Sequence, residues 1–121
     1  MKEMSYVRVQ VRYSGKTGKP VGIFAAVCHL QDAGKLTETE KKLYADIEAW
    51  FEEHLPNPPF YENGNPDQAI TFFKNNKTVH MLEKLLPLLQ LLDKNTVPYD
   101  VVYTNFPGKI IYEDDYQVAV V

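Results

Sequence analysis

The chain has 121 residues, 45% of them hydrophobic and 24% charged, and a formal net charge of −3. This length fits a single domain, residues 1–121, that can bury a core without disulfides or a metal. The composition excludes a largely disordered chain. The negative charge argues against non-specific binding to nucleic acid, which needs an excess of Lys and Arg.

Cysteine content and hydropathy bear on the compartment. The single cysteine, Cys28, excludes an intramolecular disulfide and fits a reducing environment. No apolar signal-peptide core follows Met1, and no window approaches the roughly 18 apolar residues of a membrane span. We therefore expect a cytoplasmic protein with neither a membrane nor a nucleic-acid partner.

The first predicted element is a strand at residues 6–13. Apolar and polar residues alternate along it, with Val7, Val9, Val11 and Tyr13 on one face and Arg8, Gln10 and Arg12 on the other. A period of two predicts one buried and one solvated face. Residues 14–20 read as a turn, because they contain two glycines and a proline.

Two helices are predicted next. Residues 22–33 are apolar on nearly every side, which fits a buried helix or a buried strand, and the stop at Gly34 favours the helix. Thr37 and Glu40 form the S/T-x-x-E signature of a capping box and start the second helix, which ends before Pro56. Its core stripe comprises Leu36, Leu43, Ile47, Trp50, Phe51 and His54 or Leu55.

The second half of the chain predicts a strand–helix–strand unit, residues 70–104. Its helix runs from about residue 78 to residue 93, with one apolar face made of Val79, Leu82, Leu85, Leu86, Leu89 and Leu92. A connection of this length suits two parallel, adjacent strands, 70–74 and 100–104. A β-meander then follows at residues 100–104, 109–112 and 116–121. The predicted fold is α/β or α+β, with one mixed sheet of four or five strands and three helices.

The candidate binding site lies where the strand at residues 70–74 ends and the third helix begins. The segment is Lys74, Asn75, Asn76, Lys77 and Thr78, and Thr104 and Asn105 are expected nearby. Unpaired N–H groups and the positive end of a helix dipole would suit a phosphate or a carboxylate there. The alternative is ordinary helix capping by Asn76 or Thr78.

A long loop before residue 70 carries two further candidate ligand-binding residues, Phe60 and Tyr61. Irregular connections of this length are often binding loops. This aromatic pair would cover a ligand or a partner, or would pack back on the domain. The first functional hypothesis is therefore a non-catalytic protein that binds a small anionic molecule, with a nucleotide or another phosphate-bearing molecule as a candidate.

Few residue patterns in the sequence indicate catalysis, so the sequence favours a non-catalytic protein and leaves enzyme activity open. The histidines His29, His54 and His80 lack metal-ligand spacing, and we expect no metal and no cofactor. Cys28 lies in the most apolar segment and reads as a core residue. An enzyme that uses His80 or His54 with a carboxylate is the weakest alternative, because only the fold could bring such groups together.

The second functional hypothesis is a protein-interaction or inhibitor module. The segment Tyr116 to Val121 reads as a strand without a guarding Lys or Pro, and such an edge pairs readily with another chain. A homodimer or higher homo-oligomer built on this strand, or on the Phe60–Tyr61 loop, is expected. The competing possibility is that Val118 and Val120 pack inside the domain beside the first strand.

Three segments resemble a group of short, uncharacterised bacterial proteins. They are residues 20–24 with Gly34-Lys35-Leu36-Thr37 and Trp50-Phe51, residues 70–74 with His80, and residues 97–118 with Pro107-Gly108 at their centre. The resemblance implies a stand-alone single-domain protein and no particular activity. In size and character the chain also resembles phage-encoded proteins that bind nucleotide signals or block a host defence.

Overall fold

The computed structural model describes residues 5–15, 18–59, 64–65 and 67–121. These residues form six strands and three helices. The elements are β1 (Tyr6–Ser14), β2 (Pro20–Gly22), α1 (Ile23–Asp32), α2 (Glu38–His54), β3 (Ile70–Lys74), α3 (Val79–Lys94), β4 (Tyr99–Thr104), β5 (Ile110–Glu113) and β6 (Gln117–Val120). The predicted class, one sheet with three helices in a mixed α and β fold, is confirmed.

The strand β1 organises the sheet, because it pairs with three others. One of its edges pairs with β4 along residues 6–11, and the other pairs with β3 at Tyr6 and Val7 and with β2 at Gln10 and Ser14. β6 then joins β3, and β5 joins β6. Every pairing among the described strands is antiparallel, so the sheet is antiparallel rather than mixed as predicted.

The three helices cover one face of this sheet and enclose the main core. The core includes Val9 and Val11 of β1 and the fully buried leucines of α3, Leu85, Leu88 and Leu92. Helix α2 begins as predicted, because the Thr37 hydroxyl accepts from the Glu40 N–H and the Glu40 carboxylate accepts from the Thr37 N–H. The tertiary contacts of the apolar faces supply most of the stability of such helices.

The opposite face of the sheet carries a second buried cluster, made of Phe72, Val118 and Val120. On a flat sheet, the end of β4 and the start of β5 would be about 23 Å apart, four strand spacings across and about four residues along. The five residues that join them reach at most about 21 Å when fully extended. The sheet must therefore curl. Val102 of β4 packs against this cluster on β3 and β6, so the cluster lies on the concave side.

The strand–helix–strand prediction was right in direction and wrong in adjacency. β3 and β4 point the same way, because both are antiparallel to β1, but β1 lies between them. A helical connection is long enough to cross one intervening strand, and the sequence spacing of β3 and β4 carries no information on which distant strand fills the gap. The nine-residue β1 is long enough to bond to both.

Three other expectations need correction. β6 lies between β3 and β5, so the terminal strand is internal and Val118 and Val120 are buried. The last three strands form no continuous meander, since β4 pairs with β1 rather than with β5. The predicted turn at residues 14–20 ends in β2, which the sequence reading missed.

Candidate functional site

The candidate site begins at a gap in the sheet. On one edge of β1, the described strands leave residues 8 and 9 between the ends of β2 and β3. The Arg8 side chain bridges this gap, because its guanidinium donates to the Thr71 carbonyl at 3.0 Å and to the Pro20 carbonyl at 3.1 Å. Its Nε donates to Gln10 Oε1 at 3.0 Å. Arg8 thus connects two strands that do not pair with each other.

Arg8 was predicted to lie on the solvated face of β1, and that prediction was wrong. The residue is only 9% exposed. A period-two pattern assigns a face to each residue but cannot show that a strand edge is interrupted, and the interruption is what leaves room for a long side chain. The guanidinium has enough N–H donors to satisfy several backbone acceptors at once, which allows its burial.

A cavity of about 680 Å³ lies beside this gap on the helix side of the sheet. Its walls come from the first turn of α1, the last turns of α2, residues 55–58, residue 69 and the strand β3. Most of the wall is apolar, with the rings of Phe24, Phe51 and Phe73 among its members. This volume falls in the range of small-molecule sites.

Helix α1 begins at the cavity wall. Its N-cap is Gly22, in an extended conformation, and no side chain of the described residues caps it. Gly22, Ile23, Phe24 and Ala25 all line the cavity. The first N–H groups of a helix lack intrahelical partners and carry a partial positive charge, so this end of α1 gives the cavity hydrogen-bond donors.

The absence of a side chain at residue 22 allows Arg8 to approach α1. A Cβ atom at this position would lie 3.3 Å from Arg8 Nη2, closer than ordinary van der Waals contact. The Arg8 guanidinium and the N-terminus of α1 therefore converge on the same wall. An anion placed there would interact favourably with both.

Two carboxylates limit how much negative charge a ligand could carry. Glu48 and Glu52 of α2 also line the cavity.

Burial raises the pKa of the Tyr44 phenol above its usual range, and the nearby Glu48 carboxylate adds to the shift. The Tyr44 hydroxyl donates to the Phe24 carbonyl at 3.1 Å, so it links α2 to the first turn of α1.

The structure places the Lys74–Thr78 segment at the opposite end of β3, where several of its groups are already engaged. Lys74 Nζ forms an ion pair with Glu113 at 2.5 Å. The buried Thr78 donates its hydroxyl to the Lys74 carbonyl at 2.8 Å instead of capping α3. Asn76 and Lys77 are exposed. Whether this segment binds an anion stays a prediction.

Thr104 and Asn105 lie near that segment but are separated from it by β1. The Ser5 N–H donates to Asn105 Oδ1 at 2.8 Å, and the Ser5 carbonyl accepts from the Asn75 N–H at 2.9 Å. The Thr104 hydroxyl accepts from the Phe106 N–H and so closes a turn. The aromatic pair Phe60 and Tyr61 lies outside the described residues.

Two of the histidines meet at one tryptophan. The His54 ring stacks on Trp50 with ring centroids 4.1 Å apart, and the His80 ring meets Trp50 edge-on at 5.9 Å. His54 Nδ1 donates to the Trp50 carbonyl at 2.7 Å. In the part of the chain that the structure describes, no group of three or more His, Cys, Asp or Glu side chains could hold a metal ion.

The sequence reading missed Arg8, the first turn of α1 and the cavity between them. A weak signal was present, because Gly22 directly precedes the apolar segment and no Ser, Thr, Asp or Asn stands at that position. A helix that starts without a capping side chain leaves its donors available to something else. The position of Arg8 beside it could not be read from local spacing.

Comparisons with known proteins identify no relative of this chain. No family model matches the chain, and no curated protein or solved structure is significantly similar to it. Its resemblance to short bacterial proteins therefore stays a prediction. Among the described helices, none is long and apolar enough to cross a membrane.

Proposed function

We propose that this protein is a non-catalytic binder of a small anionic molecule and that the cavity at the N-terminus of α1 is its site. The observation that carries the proposal is that α1 begins at the cavity wall without a side-chain cap from the described residues. Helix N-termini are recurrent sites for phosphate and carboxylate groups. The Arg8 guanidinium adds a formal positive charge to the same wall.

The cavity suggests the class of ligand. Its apolar wall favours a ligand with a flat or aliphatic body and one acidic group directed at Gly22 and Ile23. Glu48 and Glu52 disfavour a polyphosphate, because they bring two negative charges to the same space. An organic carboxylate, a sugar phosphate or a nucleoside monophosphate fits these limits better than a nucleoside triphosphate.

The test is a thermal-shift screen of such carboxylates and phosphates, with nucleoside triphosphates included for comparison. A ligand that binds only the folded state stabilises it by about 2.7 kcal/mol when its concentration is one hundred times its Kd. For a domain of this size, that stabilisation raises Tm by several degrees. No shift with any of these compounds at millimolar concentration would contradict the proposal.

A pair of charge variants locates the site. Ala25→Glu puts a carboxylate in the first turn of α1, at the cavity wall, where it occupies the donors and also favours the helix. We expect it to abolish the ligand-induced shift without lowering the stability of the free protein. Ala45→Glu makes the same change of charge on an exposed part of α2 and should leave the shift intact.

The segment at residues 74–78 is the alternative location for the same activity. Lys77 is exposed, so Lys77→Ala removes a charge there with little effect on folding. A ligand-induced shift that Lys77→Ala abolishes and Ala25→Glu preserves would move the site to that segment. The opposite pattern supports the cavity.

We also propose a cytoplasmic location, because a single cysteine, which cannot form an intramolecular disulfide, suits a reducing compartment. An enzyme that uses His54 or His80 remains the weakest hypothesis. The structure brings both rings to Trp50, and Lys84 Nζ lies 5.5 Å from the centre of the same ring, so the charged group recorded against this tryptophan is a cation.

A further inference from the structure

The outer side of α3 and the neighbouring strand β4 expose apolar residues that the sequence analysis had expected to be buried. Val79 is 59% exposed and Leu86 is 53% exposed, although both were predicted to belong to the core face. On β4, Val101 is 41% exposed and Tyr103 is 52% exposed. These four residues, with the half-buried Leu82 between Val79 and Leu86, are called the α3–β4 surface below.

The topology shows that these residues form one surface. Val101 and Tyr103 pair with Val9 and Val7 of β1, so they lie on the helix-covered face of the sheet. Val7 and Val9 are buried there, whereas the residues one strand further out are not. The helix layer therefore ends above the boundary between β1 and β4.

The orientation of α3 places its exposed apolar residues toward the same edge. His80 and Lys84 approach Trp50 and so define the side of α3 that faces α2. Residues three or four positions apart share a side of a helix, as His80 and Lys84 do. Val79 and Leu86 are rotated by about 100° or more around the helix axis from those two residues, so they lie on the other side of the helix. Helix α2 lies over β3 and β6, because the Phe51 ring meets that of Phe73 and Gln117 donates to the carbonyl of Pro56 just after α2. The side of α3 away from α2 is therefore the one toward β4, which lies across β1 from those strands.

The edge of β4 is open to pairing. Among the described strands, β4 pairs only with β1, and its six residues contain neither Lys nor Pro. Its one charged residue, Asp100, is already paired with Arg12 at 3.1 Å. Exposed edges without protective residues are templates for a further strand.

We propose that a second copy of this chain occupies the α3–β4 surface, by antiparallel pairing of β4 with β4 about a two-fold axis at Val102. This register is self-complementary. It places Val101 opposite Tyr103, a favourable pair of a β-branched and an aromatic residue, and it places Asp100 opposite Thr104 rather than opposite another acid. The two α3 helices would lie on the same face and bring Leu82 and Leu86 of each copy toward the axis.

The first experiment measures mass by light scattering at micromolar concentration, and we expect a dimer. Val101→Lys buries a charge against Tyr103 of the second copy and should give a monomer with an unchanged circular dichroism spectrum. Ile111→Lys is the matched control, because Ile111 is 38% exposed on β5 at the opposite edge of the sheet. That variant should remain a dimer. If Val101→Lys fails to fold, Leu86→Glu on α3 provides the same test.

A disulfide tests the register directly. In a Cys28→Ala background, Val102→Cys places two thiols across the axis, where the Cα atoms of paired antiparallel residues are about 4.5–5.5 Å apart, within the range of a disulfide. Oxidation should cross-link it. Thr104→Cys lies two residues from the axis and should not cross-link to itself. A monomeric wild type, or a dimer that Ile111→Lys disrupts and Val101→Lys does not, overturns the proposal.

Discussion

Gly108 offers a sharp test of how closely the link between β4 and β5 approaches the end of β6. Its φ of +136° lies in a region that residues with a Cβ rarely adopt. A Cβ at this position would lie 3.0 Å from the Val121 carbonyl oxygen and 3.4 Å from the Val120 side chain. The Val121 backbone cannot move away freely, because its N–H and carbonyl are both bonded to Lys109.

The expected cost of Gly108→Ala has two parts. The backbone strain contributes about 1–3 kcal/mol, and the forced approach to a backbone atom contributes a further amount of about 1–3 kcal/mol. We therefore expect a loss of about 2–6 kcal/mol in the free energy of unfolding. The measurement is urea denaturation of the purified protein, with the midpoint and the slope fitted separately.

Gly34→Ala is the matched control. Gly34 also has a positive φ, +72°, but a Cβ there would meet no atom within 4 Å. Only the cost of a left-handed conformation applies, about 1–2 kcal/mol. If the two variants lose the same free energy, the close approach of Gly108 to Val121 does not exist, and the reasoning about this part of the sheet is wrong.

Three further predictions concern the helices. Thr37→Ala removes the capping hydroxyl of α2 and should cost about 1 kcal/mol in urea denaturation. The pKa of the Glu40 carboxyl is lowered from 4.5, chiefly by the hydrogen bond from the Thr37 N–H and next by Lys94. The stabilisation of the fold by the ionised Glu40 carboxylate is therefore complete at neutral pH and is lost as the pH falls below 4.5. The stability difference between wild type and Glu40→Gln should therefore shrink toward pH 3, and a pH-independent difference would contradict this. Leu85→Ala should cost about 2–5 kcal/mol because Leu85 is fully buried, whereas Leu86→Ala should stay within about 0.5 kcal/mol in the monomer.

The sequence alone was enough to determine the main elements, because their signals are local. The capping box at Thr37 and Glu40 defined the start of α2, and the proline at residue 56 defined its end. The alternation of Val7, Val9 and Val11 identified β1 and its buried face. Such signals arise from hydrogen bonds and side-chain directions within one or two turns of the chain, so neighbouring residues carry them.

Only the tertiary structure decided which side of α3 is covered and which strands are neighbours. Val79 and Leu86 are as apolar as Met81 and Leu88, yet the first two are exposed and the last two are buried. The difference depends on the place where the helix layer ends above β1 and β4. The cavity depends in the same way on Arg8 meeting the first turn of α1. These features arise from pairings between residues far apart in the chain, and local periodicity carries no information about such pairings.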